Sequence, residues 1–203
     1  MILAICVGLV FSAAAWFGAG LGRISCFGRW SFADGPRPVA VGSWIIALAG
    51  GYVGLGFAAH HPSIVQVCLI SLVIGAFGAA IMSDLALGLI PDIFTIVPLT
   101  IFVILSDLGG NGIPAVCAIL AGLPFAMLAW VTRGYGMGWG DVKLIALGGA
   151  IVGPEESVLV FILASIAAYG VSRLSRSPYR GPVAFGPYLA GGFGVMLILG
   201  SRF

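Results

Sequence analysis

The chain has 203 residues, 61% of them hydrophobic and only 8% charged, with a formal net charge of +2. Its mean hydropathy of +1.17 lies far outside the range of soluble domains and excludes an ordinary water-soluble globule. The apolar stretches are continuous and lack dyad alternation, so they exclude an outer-membrane β-barrel and predict an all-α polytopic membrane bundle.

Eight apolar segments are predicted, at about 1–22, 39–59, 64–83, 93–106, 113–132, 142–153, 157–172 and 184–200. The first has no basic residues ahead of it, so it is taken as a membrane helix and not a cleaved signal peptide. The first, third, fifth and seventh connections hold eight of the nine Lys and Arg residues, among them Arg23, Arg29, Arg133, Lys143 and Arg176. Basic connections stay on the cytoplasmic side, so both termini are expected outside. The opposite connections carry His60-His61, the DLGGNG run at 107–112 and Glu155-Glu156. Both histidines are expected to be solvated loop residues, and the two glutamates to open a helix. Cys6, Cys26, Cys68 and Cys117 form no C-x-x-C pair, so neither a zinc site nor a disulfide framework is expected.

Two segments are too short to cross the membrane alone. At about 1.5 Å per residue, 93–106 and 142–153 span about 21 and 18 Å of a hydrocarbon core of about 30 Å. The stretches leading into them must dip inward and line a wet cavity. Each dip carries an aspartate. In the first, IMSDLALGLIPDIF, Asp84 closes one apolar segment, and Pro91 with Asp92 opens the next. In the second, GYGMGWGDVKL, Gly136, Gly138 and Gly140 lead into Asp141.

An acid at membrane depth is costly and points to function. Two acids on one side suggest a pair that can split a peptide bond with water alone, one carboxylate as base and the other as acid. The structural readings compete residue by residue. Asp84 could end a helix at interfacial water, Asp141 could cap one, and Asp92 after Pro91 reads as a helix start. Lys143, two positions past Asp141, reads as an interfacial anchor.

These residues carry a resemblance. G-W-G-D-V-K at 138–143 resembles the G-x-G-D motif of intramembrane aspartyl proteases. Asp84 followed by Pro91-Asp92, and VAFGPYLAGG at 183–192, resemble the two other motifs of the prepilin peptidases, in family order. The resemblance implies one peptidase domain over 1–203 in the bacterial inner membrane, with Asp84 and Asp141 catalytic in a cytoplasm-facing cavity. Gly138, Gly140, Lys143 and Pro91 are then motif residues that position the substrate. It further implies a prepilin or pseudopilin substrate, cleaved after a glycine where its basic leader meets its apolar helix, in pilus assembly or type II secretion. No cofactor and no nucleic-acid partner are implied. The connection at about 23–38 holds only Cys26, so the chain resembles the short, peptidase-only members serving tight-adherence pili, and methyl transfer is not expected. The competing class is an ion-coupled transporter or channel, with the acids binding protons or cations. The two dips share no internal repeat that would favour it.

Overall fold

The computed structural model describes residues 2–27, 37–134, 137–174 and 184–200. Side chains at 26–27 and 37–41 are outside that description. Among the described residues, eight α-helices follow one another: α1 (Ile2–Phe27), α2 (Arg37–Phe57), α3 (Ile64–Leu87), α4 (Ile96–Leu108), α5 (Ile113–Val131), α6 (Trp139–Val152), α7 (Pro154–Leu174) and α8 (Gly186–Gly200). No strand occurs among the described residues. Five of these described helices are long and apolar enough to cross a membrane: α1, α2, α3, α5 and α7. α4 and α6 are short, with 13 and 14 residues, about 20 and 21 Å of helix.

α1, α2 and α3 form one group, held by backbone-close glycine contacts. A methyl on Gly18 would lie 1.8 Å from the Gly75 carbonyl oxygen, and one on Gly50 would lie 2.8 Å from that of Phe11. Helices without an aqueous hydrophobic drive between them associate through such small-residue contacts. α5 and α6 form a second pair, with Gly149 against Ala121. α8 joins the two groups, touching α2, α3, α6 and α7. Phe193 on α8 stacks on Phe77 of α3 at 5.8 Å, in a space that Gly148 of α6 leaves open.

The ends of the helices differ from expectation in two places. α1 runs on to Phe27, so Arg23 is a buried helical residue, 7% exposed, and not part of a connection. α3 runs on to Leu87 and stops at Gly88, whose φ of +65° is the left-handed cap conformation that favours glycine. Asp84 therefore lies inside the last turn. At the other end of α3, Ser63 and Gln66 form a reciprocal capping box. Glu155 and Glu156 occupy the first turn of α7, as expected. His60 is more than a loop residue, since its Nε2 hydrogen-bonds with the Ile198 carbonyl at 3.1 Å.

Candidate active site

Asp84 is buried, 7% exposed, and its carboxylate accepts the Gly186 N–H at 2.7 Å. That donor is one of the first N–H groups of α8, which have no partner inside their own helix. A carboxylate from α3 thus caps α8 from outside. The geometry explains the F-G-P run around it. A Cβ at Gly186 would sit 2.9 Å from Asp84 Oδ2, so only glycine admits the approach. Pro187, next in the helix, has no N–H to satisfy. Phe185 packs edge-on against Phe161 of α7 at 5.8 Å, and Phe161 in turn meets Phe125 of α5 at 4.6 Å. This aromatic row fixes the chain that delivers the Gly186 N–H.

Asp141 is part-exposed and occupies the third position of α6, whose N-cap is Gly138. Its carboxylate folds back beside the Gly138 backbone at the start of the helix. Asp141 is therefore not the N-cap itself. A Cβ on Gly138 would stand 3.2 Å from Asp141 Oδ2, so the first glycine of G-x-G-D admits the carboxylate. Asp84 and Asp141 lie close enough for their charges to repel each other. The fold thus brings together the two acids of the two separate dips.

The dips also meet directly. A Cβ on Gly140 would lie 3.0 Å from the Ile90 Cβ, and Lys143 Nζ donates to Asp92 Oδ1 at 2.5 Å. Lys143 is therefore an ion-pair partner rather than a free anchor. Asp92 opens a 3-10 turn, Asp92–Phe94, after extended Pro91, but its carboxylate caps nothing there. Gly140 and Lys143 fall in this contact zone, Pro91 lies between Ile90 and Asp92 in the chain, Gly138 stands beside Asp141, and Gly136 is outside the described residues. Sequence reasoning missed the Gly186 N–H and the Asp92–Lys143 pair. The F-G-P run was the one signal for the first. Among the described residues, no three His, Cys, Asp or Glu residues cluster as metal ligands do.

A helical membrane bundle with one aspartate buried in the last turn of α3 and a second in the first turn of α6 defines a class of polytopic membrane proteins that carry paired acids. The matching family is narrower. Residues 71–172 match the model of the type IV leader peptidase family, and the chain belongs to that family. It is 29% identical over 185 residues to a prepilin leader peptidase/N-methyltransferase of Burkholderia pseudomallei, covering 82% of this chain and 57% of that protein. It is 34% identical over 119 residues to a protein of the same name from Aeromonas salmonicida, covering 53% of this chain and 40% of the other. The chain thus spans about half the length of these relatives. No solved structure matches it.

Proposed function

We propose that this chain is an aspartic endopeptidase that removes the leader from a prepilin or pseudopilin at the cytoplasmic face of the inner membrane, with Asp84 and Asp141 as its catalytic pair. The observation that carries the reading is the convergence of three motifs. Asp84 and Asp141 lie within range of each other's charge, and the F-G-P backbone holds Asp84 through Gly186.

In the proposed step, one carboxylate takes a proton from water as the oxygen attacks the scissile carbonyl carbon. The other, protonated, gives its proton to the carbonyl oxygen. The tetrahedral intermediate collapses as the C–N bond breaks and the leaving nitrogen takes up a proton. The products are a leader with a new carboxylate and a mature chain with a free amine. Gly138 and Gly186 let each carboxylate sit directly against backbone, Gly140 and Lys143 hold the two dips against each other, and Pro91 supplies the extended entry to the Asp92 turn.

Incubating the purified protein with a synthetic prepilin and weighing the products tests this reading. Two fragments summing to substrate plus one water are expected. Intact substrate with well-folded protein would overturn it.

A further inference from the structure

α2, α3 and α8, with a small contribution from α1, enclose an apolar cleft of about 370 Å³, within the size range of ligand pockets. Its position relative to Asp84 is informative. Pro187, at one end, directly follows the residue whose N–H binds Asp84. Ile81, also in the lining, is one helical turn before Asp84, on the same side of α3. From Pro187 the lining follows one stripe of α8 as far as Ile198, roughly 16 Å at about 1.5 Å per residue. The cleft thus begins beside Asp84 and runs about halfway through the thickness of a hydrocarbon core of about 30 Å.

α2 and α8 touch toward the far end. A methyl on Gly56 would lie 2.7 Å from the Ile198 side chain, and one on Gly194 would lie 3.1 Å from Val53. Nearer Asp84 they leave space, since a methyl on Gly191 would meet no atom within 4 Å. Among the described residues, no Lys, Arg, Asp, Glu or His lines the cleft. Ala49, Gly78 and Gly191 in its walls allow a visiting helix to approach backbone to backbone.

We propose that this cleft receives the apolar helix of the substrate, on the carboxyl side of the bond to be cut. The proposal rests on the peptidase reading and specifies how that site selects its substrate. A bond placed at Asp84 leaves the following segment in the membrane, and the cleft is the apolar channel that continues from that point. Its length takes about three turns of helix. Its lack of charge suits the apolar segment and rejects the basic leader.

Two synthetic substrates with the same leader and junction separate the possibilities, one carrying the full apolar helix and one ending a few residues past the junction. Gly191→Leu, which projects into open space, is expected to lower the ratio of kcat/KM for long over short substrate by 10-fold or more. Gly170→Leu on α7, where a Cβ likewise meets nothing within 4 Å, is expected to leave that ratio unchanged. Separately, a photo-crosslinking residue placed in the substrate helix is expected to label α2 and α8 of the Asp84→Asn protein. An unchanged ratio in Gly191→Leu, or labelling confined to other helices, would overturn the proposal and leave the cleft to lipid chains. If neither substrate is cut by the unaltered protein, the peptidase reading falls, and the crosslinks still decide whether the cleft binds an apolar helix.

Discussion

Replacing Asp84 or Asp141 with asparagine changes the proton chemistry of a side chain while retaining its size. The amide oxygen introduced by Asp84→Asn can still accept the Gly186 N–H, and the Asp141→Asn amide fits the same space beside Gly138, so both variants are expected to insert and accumulate normally. Each is expected to lower leader cleavage by at least about 10²-fold, the scale of a lost general acid or base. Quantifying product by mass spectrometry against immunoblotted protein checks this, and near-normal cleavage would remove that residue from the pair. The ion pair between Asp92 and Lys143 is a smaller matter. Their side chains are 61% and 29% exposed, and pairs so wetted are worth about 0.2–1 kcal/mol. Asp92→Asn and Lys143→Gln are each expected to reduce activity only a few-fold. A double-mutant cycle on cleavage rate should yield a coupling below about 1 kcal/mol. A loss of Asp92→Asn activity as deep as that of Asp84→Asn would instead put Asp92 at the chemistry. Both acids were legible because charge at membrane depth is rare. The partners were not, because a donor on the backbone leaves no letter in the sequence, and Asp92 and Lys143 are 51 positions apart.

Elements were legible where a long apolar run ends at a polar or glycine signal. The run 64–83 reads as a helix that stops short, because Asp84 looks like a terminus. In the structure α3 buries it and runs on to a glycine cap. Arg23 misleads in the same way, since a charge marks a helix end only if water reaches it. Which glycines pack helices and which merely face lipid could not be read from their number, because this depends on what stands opposite. The distinction gives a prediction. Gly18→Ala drives a methyl to 1.8 Å from the Gly75 oxygen on α3, and backbone cannot yield as a flexible side chain would, whereas Gly170→Ala enters empty space. Gly18→Ala is expected to destabilise by about 1–3 kcal/mol or more, as overpacking does. Gly170→Ala is expected to be neutral or to stabilise by up to about 1 kcal/mol, the helix propensity difference. Detergent-solubilised unfolding monitored by tryptophan fluorescence distinguishes them, and equal stability would mean that the α1–α3 crossing adjusts.

For the molecule as a whole, sidedness joins the fold to the proposed activity. α3 and α8 run antiparallel, with Asp84 beside Gly186 at one end and the Ile2 end of α1 and the Gly200 end of α8 at the other. The latter follows from the pairing of Gly18 with Gly75 and Gly22 with Ala79, which makes α1 parallel to α3. The aspartates share their end with the helix ends flanking the Arg-rich connections. Reporter fusions near Arg133 are therefore expected to report cytoplasm, and fusions near His61 the outside. A cytoplasmic His61 would put the acids on the face opposite the leader. What leaves the site is a separate matter. The relatives' names join a peptidase to an N-methyltransferase, yet the stretch 23–38 of this chain carries Cys26 as its one cysteine. Nothing in the acid pair activates a methyl donor, because carboxylates move protons and the new amine needs an electrophilic methyl group held beside it. The product is therefore expected to keep a free, unmethylated N-terminus when purified protein, substrate and S-adenosylmethionine are incubated together. Intact-mass analysis of the mature fragment checks this, and one added methyl on the new amine would show that the short chain carries both activities.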